Sequence, residues 1–176
     1  MRRNFSIDEV KELLNAEKWV VKNGQRLQFA SFTLKQSSHN FELVSNEFPK
    51  LKFKLSSERS GKKTTKFKLF VIENESTTGL LRICFRADHR NPAKAPDDLP
   101  MAARDYVGYK FEDESHVHIH VPSVSGPQMP WAIPLSDYTD FTQKEVNSTE
   151  EWLATVEEFR SLIALQTRFE FTNELF

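Results

Sequence analysis

The sequence contains one cysteine, five glycines and no long apolar run among its 176 residues. The lone Cys84 excludes an internal disulfide framework and a zinc site built from clustered cysteines. The opening residues, MRRNFSIDEV, carry two arginines without the apolar stretch of a signal peptide, and no later segment has the length of a spanning helix. We therefore expect a cytoplasmic protein with no membrane partner, since free cysteine is typical of reducing compartments.

The common short catalytic motifs are also absent. The sequence has no glycine-rich phosphate loop, no nucleophile elbow and no His-Glu-x-x-His zinc helix. A chain of this length suits one domain, here 1–176, and the fifteen phenylalanines predict a phenylalanine-rich core. Composition alone therefore favours an ordinary globular protein whose function must be sought in its surface and its strands.

Two helices begin with the same signal. Ser6 with Glu9, and Ser148 with Glu151, form Ser-x-x-Glu capping boxes ahead of apolar residues at helical spacing. They predict helices over 7–18 and 149–165.

Strict alternation of apolar and polar residues predicts most of the remaining elements as strands. The predicted strands are 26–34, 40–45, 50–57, 64–73, 80–88, the histidine stretch near 116–121, and a proline-flanked edge strand at 129–135. Residues 89–113 are rich in proline and aspartate and predict a long loop. The resulting fold class is α+β: a mostly antiparallel sheet of five to seven strands within 26–135, packed on one side by the two helices. The expected core includes Leu51, Phe53, Phe67, Leu69, Ile83, Phe85, Val117, Ile119, Trp152 and Phe159.

The polar rows of these strands are strongly basic. Residues 1–90 carry 18 basic and 10 acidic side chains, whereas 91–176 carry 6 and 15. Because side chains alternate between the two faces of a strand, the lysines of 50–55 and 64–73 should project from the face opposite the core. We expect this face and its adjoining hairpin to contact nucleic-acid phosphates through Lys50, Lys52, Lys54, Lys62, Lys63, Lys66, Lys68, Arg82 and Arg86.

Three histidines alternate with apolar residues in the stretch HVHIHV, and the alternation predicts that His116, His118 and His120 point outward on the same basic face. Neighbouring histidines of such a row are spaced to share a metal ion, with Asp88 or His89 as a further ligand. A divalent metal on His116, His118, His120 and Asp88 is an alternative to a solvated or hydrogen-bonded row, and not the expectation.

The same stretch resembles the motif of the histidine-triad nucleotide hydrolases. That resemblance would make His118 the nucleophile, flanked by His116 and His120. The sequence departs from the family because 56 residues follow His120 and the acidic run KFEDES precedes the triad.

Residues 80–176 resemble an uncharacterised family of small bacterial and phage proteins. The pattern is Arg-x-Asp, a nearby Asn-Pro, His-x-His and Trp-Ala-x-Pro-Leu, and it falls on Arg86, Asp88, Asn91, Pro92, His118, His120, Trp131, Ala132, Pro134 and Leu135. A weaker similarity extends to small toxin components of toxin–antitoxin pairs. The resemblance implies a setting of mobile elements and defence. This chain departs from the pattern in its longer acidic loop and in the additional His116.

Three functions from different classes follow. The leading expectation is a nucleic-acid backbone binder that uses the basic sheet face. The second is a protein-interaction module, an inhibitor or a subunit of a defence complex, that uses the acidic 97–114 loop and the acidic C-terminal helix. The third is a metal-assisted or nucleotide-directed hydrolase with Arg86, Asp88, His118 and His120 as catalytic candidates.

Overall fold

The computed structural model describes residues 3–33, 36–60, 64–124, 126–142 and 145–172. The helices in this part of the chain are α1 (Ile7–Asn15), α2 (Met101–Arg104), α3 (Leu135–Tyr138) and α4 (Thr149–Leu162). The strands are β1 (Trp19–Lys22), β2 (Gln25–Arg26), β3 (Phe29–Thr33), β4 (Ser38–Val44), β5 (Lys52–Ser60), β6 (Thr64–Glu73), β7 (Ser76–Arg90), β8 (Lys110–Ile119), β9 (Trp131–Pro134) and β10 (Arg168–Thr172).

One large antiparallel sheet organises the fold. Across the described residues it has eight strands in the order β2-β1-β4-β5-β6-β7-β8-β9, and β10 and β3 form a separate parallel pair. The α+β class is therefore confirmed, with one strand more than the upper expectation. β9 lies at the edge of the sheet, as its flanking prolines predicted.

Both capping boxes form as the sequence predicts. Ser6 accepts from the Glu9 amide while the Glu9 carboxylate accepts from the Ser6 amide, and Ser148 and Glu151 repeat the arrangement at α4. Both helices end about three residues before the predicted 18 and 165. α1 stops because Ala16 turns to an extended conformation that leads into β1, a strand that the sequence analysis missed.

The core lies between the sheet and the helices. α1 contributes Val10 and Leu13, and α4 contributes Trp152, Val156 and Phe159, to one buried cluster with the apolar rows of β5 to β8. Of the ten expected core residues, nine are buried and Ile119 is partly buried. Alternation therefore identified the inward face of each central strand correctly.

The connection between β7 and β8 is shorter than the predicted loop 89–113. β7 continues to Arg90 and β8 begins at Lys110, so the loop spans 91–109 and contains the one-turn helix α2. None of the helices in the described part of the chain has the length and apolar composition needed to cross a bilayer.

Candidate functional site

Strand register places the lysines and two of the histidines on one face of the sheet. Lys68 pairs with Arg82, and Arg82 pairs with His118 on the next strand. Lys66, Cys84 and His116 form the adjacent cross-strand row. Directly paired residues project from the same face, so the shared basic face predicted from alternation is confirmed for these positions.

We call the polar side of β5 to β7 the lysine face; it consists of Lys52, which is exposed, and of the half-buried Lys54, Lys66, Lys68 and Arg82. Two carboxylates on the same side partly neutralise it: Glu42 lies 3.2 Å from the Lys52 ammonium and Glu58 lies 2.7 Å from the Lys68 ammonium. Among the described residues, Lys54 and Lys66 make no ion pair. The lysine face therefore keeps a surplus of positive charge.

The other cations expected to bind phosphate lie elsewhere. Lys50 is exposed in the turn before β5. Lys62 and Lys63 lie outside the described residues. Arg86 sits at a β-bulge with a φ of 45°, and its guanidinium binds Asp113 and the Glu145 carboxylate, the latter at 2.7 Å. The charge of Arg86 is thus already matched within the molecule.

The three histidines in and just after β8 do not face solvent, and the expectation that they would is wrong. His116, His118 and His120 are 1%, 3% and 5% exposed. Residues 126–129 lie against this end of the sheet, where the Gly79 amide donates to the Gly126 carbonyl and His118 contacts the Met129 carbonyl. Alternation identifies the face on which a side chain lies, but it does not reveal whether another segment covers that face.

Backbone carbonyls hold the imidazoles of the first two histidines. His116 Nδ1 lies 2.8 Å from the Glu114 carbonyl oxygen, and His118 Nδ1 lies 2.7 Å from that of Met129. A carbonyl oxygen only accepts, so the contact with Glu114 puts the proton of His116 on Nδ1 and leaves Nε2 with its lone pair. The carbonyl contact does not by itself fix the tautomer of His118, because Nδ1 of that ring also lies against Arg82 Nη2, which can only donate.

Arg82 completes the covering of His118. Its Nη2 donates to the carbonyl oxygens of Gln128 and Met129, at 2.9 and 3.2 Å, and lies 2.8 Å from His118 Nδ1. Burial is the main cause that lowers the pKa of His116 to about 4 and that of His118 to about 2, and the Arg82 charge adds to both effects. Both imidazoles are therefore neutral at neutral pH.

The side chain of Cys84 lies beside the rings of His116 and His118. The Cys84 sulfur and one ring nitrogen each from His116 and His118 lie within 4.8 Å of one another, and all three residues are buried. His89 stands edge-on to His118, with ring centroids 4.4 Å apart. We call Cys84, His89, His116 and His118 the histidine cluster. Burial raises the pKa of the Cys84 thiol, so without a ligand it is protonated.

Sequence reasoning did not place Cys84 with these histidines because it considered a single cysteine only as a member of a cysteine cluster. A signal was available in the pairing of two predicted strands, 80–88 and the histidine strand. In the structure these strands are neighbours, and their register places Cys84 directly opposite His116.

The other proposed ligands and catalytic residues are not brought into this cluster. His120 Nε2 lies 2.8 Å from the Phe5 carbonyl oxygen, and Nδ1 lies 3.3 Å from that of Gly79, so this ring ties the N-terminal segment to the sheet. Asp88 is exposed and accepts from the Asp113 amide. Arg86, Asp88, His118 and His120 therefore do not converge on one reaction centre.

The protein-interaction hypothesis assigns the acidic 97–114 loop to a partner, but part of this loop makes contacts within the protein. Asp98 accepts from both the amide and the hydroxyl of Ser123, and Tyr106 donates to Asp137. These contacts anchor the 91–109 loop to the segment after β8 and to α3.

An apolar cavity of about 270 Å³ lies between α1 and the sheet. Val10, Leu14, Leu81, Ile119 and Tyr138 are among the side chains that line it. This cavity is on the helix-covered side, away from the lysine face, and its lining is mostly apolar, with Lys11 and His120 as its basic members.

The residues of the resemblance pattern mostly hold the sheet edge together. Asn91 is buried, and its amide group donates to the Ala132 and Tyr106 carbonyl oxygens. Trp131 and Leu135 are buried on either side of Ala132. The Asn-Pro and Trp-Ala elements therefore meet in space and act through packing.

Comparison with known proteins identifies a family but no activity. The chain has no match among curated proteins and none among solved structures. A family model described as a family of unknown function, DUF6978, matches residues 5–163. This range extends well before residue 80, where the sequence resemblance began, and it includes α1, the whole eight-stranded sheet and α4. The chain therefore belongs to the family of unknown function DUF6978.

Proposed function

We propose that the protein binds the sugar–phosphate backbone of nucleic acid through the lysine face. One observation carries the proposal: Lys68 and Arg82 are directly paired across β6 and β7, although like charges in that position destabilise a sheet. Lys54 is the diagonal neighbour of Lys68, and Lys66 lies two residues before it on the same strand face. Glu58 offsets part of the repulsion among these four cations, and an anionic partner would remove the rest.

The spacing of the lysines supports a polyphosphate ligand. Residues two apart on a strand lie about 6.6–6.8 Å apart, which applies to Lys52 with Lys54 and to Lys66 with Lys68. The regular rows of ammonium groups along β5 and β6 therefore suit a polyanion with regularly spaced phosphates.

Base stacking would contribute little to this interaction. Phe70 pairs with Lys54 on the lysine face, and it is half-buried. Binders of single strands rely on several exposed aromatic rings. The lysine face instead suits contact with phosphates, with little preference for sequence and a strong dependence on salt.

The biological setting is part of the proposal. The resemblance on Arg86, Asp88 and the following motif residues supports a small bacterial or phage protein of a defence or toxin–antitoxin system. The free Cys84 supports a reducing, cytoplasmic location. A second protein of such a system would be a natural additional partner.

Binding of fluorescent duplex and single-stranded DNA and RNA at two salt concentrations tests the proposal. For about four phosphate contacts on a duplex, the slope of log K against log salt concentration should be about −3.6. The double substitution Lys54→Glu with Lys66→Glu should abolish most of the binding at low salt, because neither ammonium makes an ion pair with a described residue: Glu42 and Glu58, their cross-strand neighbours, pair with Lys52 and Lys68 instead.

Lys11→Glu with Lys22→Glu is the matched control. It makes the same change in net charge at two exposed lysines: Lys11 is on α1, and Lys22 follows the buried Val20 by two residues on the helix-covered side of the sheet. This control should bind like the wild type. Absence of wild-type binding at low salt, or equal loss in both double variants, would overturn the proposal.

A further inference from the structure

Two neighbouring strands bring three metal-ligating side chains together beneath the lysine face. Cys84 of β7 is the direct cross-strand partner of His116 of β8, and His118 lies two residues further along the same face. The Cys84 sulfur and one nitrogen from each ring lie within 4.8 Å of one another. Thiolate and imidazole are the ligands that zinc takes most often in proteins.

The side chains are already close to the separation that a metal ion requires. Zinc–sulfur bonds of about 2.3 Å and zinc–nitrogen bonds of about 2.0–2.1 Å in a tetrahedron place ligand atoms about 3.3–3.6 Å apart. Rotations that move the ligand atoms by about 1 Å would therefore close the site. Both histidines are on a central strand of the sheet, so the backbone need not move.

The carbonyl contacts of both rings are made at Nδ1, which leaves Nε2 as the nitrogen for a metal ion. His116 and His118 direct Nδ1 to the carbonyl oxygens of Glu114 and Met129, and at His118 metal binding through Nε2 requires Arg82 Nη2 to give up its 2.8 Å contact with Nδ1. Metal-binding histidines almost always donate their other ring N–H in this way, which fixes the ring and presents Nε2 to the ion. The neighbouring His120 lacks this arrangement, because both of its nitrogens face backbone carbonyls.

We propose that Cys84, His116 and His118 bind one Zn²⁺ ion. The three residues provide a Cys-His-His set, and the ring of His89 stands beside it, with its centroid 4.4 Å from that of His118. The bound ion would require the Cys84 thiolate, so binding releases the thiol proton to solvent.

Nearby cations limit how tightly the ion is held. Arg82 lies against His118, and Lys66 is paired with Cys84 across β6 and β7. The thiolate reduces the charge of the filled site to one positive unit, and the Arg82 guanidinium contacts His118 on the Nδ1 side, away from the metal-binding nitrogen. The positive surroundings favour a ligand set that contains the soft thiolate, which selects zinc or cobalt over magnesium and calcium.

Cobalt titration of the untagged, EDTA-treated full chain is the direct test. Tetrahedral Co²⁺ with one thiolate ligand gives a sulfur-to-cobalt charge-transfer band and visible d–d bands, and both should saturate at one equivalent. Cys84→Ser should lose the charge-transfer band, and His118→Gln should weaken binding at least tenfold, the loss expected for a missing ligand. His120→Gln, directly after the same strand and outside the ligand set, should leave the spectrum unchanged.

A measurement on the wild type keeps the proposal falsifiable if a buried variant fails to fold. Zn²⁺ at 100 times its dissociation constant should raise the thermal midpoint of the EDTA-treated protein by about 5–10 °C, and Mg²⁺ should not. A cobalt spectrum without the charge-transfer band, a band that survives Cys84→Ser, or an unchanged midpoint at millimolar Zn²⁺ would overturn the proposal. Because neither readout involves nucleic acid, this test is independent of the proposed function.

Discussion

The side chain of Asn91 makes two hydrogen bonds with the backbone of Ala132. Asn91 Nδ2 donates to the Ala132 carbonyl oxygen at 2.7 Å, and the Ala132 amide donates to Asn91 Oδ1 at 2.8 Å. Nδ2 also donates to the Tyr106 carbonyl oxygen. The buried side-chain amide of Asn91 therefore pairs with the backbone of Ala132 on the outer edge of β9, as a further strand would. The same amide also holds the 91–109 loop through Tyr106.

Asn91→Asp should destabilise the fold by about 3 kcal/mol or more, because a carboxylate would face two carbonyl oxygens in a buried position. Urea unfolding at neutral pH measures the change. Asn74→Asp is the control: Asn74 is exposed in the β6–β7 turn, where its positive φ also suits aspartate, and it should change stability by less than about 0.5 kcal/mol. Equal effects of the two substitutions would refute the role of Asn91.

Alternation in the sequence was sufficient to predict the central sheet. The rows that contain Phe67, Ile83 and Val117 are buried as expected. Side chains alternate strictly between the two faces of a strand, so only one orientation of each strand turns its apolar row towards the core. The bounds of β6, Thr64–Glu73, are those predicted. Local patterning and capping therefore determine the class and most of the architecture.

The covering of the histidines could not be predicted in the same way. The segment 122–130 has no periodicity, and its contacts with His118 and Arg82 are made by backbone carbonyls that any sequence would supply. The β-bulge that diverts Arg86 towards Asp113 likewise depends on tertiary packing. The sequence thus located the polar residues of the candidate site, whereas their burial and their pairing required the three-dimensional structure.

Lys18 is another feature that only the structure reveals. Its side chain is fully buried, and its ammonium donates to the carbonyl oxygens of Leu14, Ala16 and Ile163 at 2.7–3.0 Å. These carbonyls lie at the C-terminal ends of α1 and α4, where helices leave backbone acceptors without partners. One lysine therefore joins the ends of both helices.

The stability of the protein should rise with pH above neutrality because of Lys18. Burial lowers its pKa to about 7, whereas an unfolded lysine titrates near 10.4. Between these values the unfolded chain binds a proton that the folded chain lacks, so the free energy of unfolding increases with pH. From pH 7 to pH 9 the contribution is about 2 kcal/mol. Urea unfolding at both pH values should show this gain in the wild type and not in Lys18→Met; parallel behaviour of the two proteins would contradict it.

Gly79 and Met129 should be energetically coupled. A Cβ atom at Gly79 would lie 2.7–2.8 Å from three side-chain atoms of Met129, so Gly79→Ala should cost about 1–3 kcal/mol through overpacking. Met129→Ala removes a buried side chain and should cost about 2–4 kcal/mol. In the double variant the new methyl group enters the vacated space, and the total should be smaller than the sum by about 1 kcal/mol. A double-mutant cycle of unfolding free energies measures this term, and strict additivity would show that the two side chains do not compete.

Removal of the two carboxylates beside the lysine face should change the affinity for nucleic acid in the opposite direction from the lysine substitutions. Glu42 and Glu58 each hold one lysine, Lys52 and Lys68 respectively, so they compete with phosphates for those cations. If the lysine face binds nucleic acid, removal of both negative charges should improve binding without the introduction of any new contact group.

Glu42→Gln with Glu58→Gln should raise affinity for duplex DNA roughly 3- to 10-fold at low salt and steepen the salt slope by about 1 to 2 units, because each additional neutralised phosphate adds about 0.9. Fluorescence anisotropy at two salt concentrations measures both quantities. Glu12→Gln with Glu17→Gln, at exposed positions on and just after α1, makes the same change in net charge away from the lysine face. An equal gain in this control would assign the effect to net charge alone, and no gain in either variant would show that Lys52 and Lys68 do not contact the ligand.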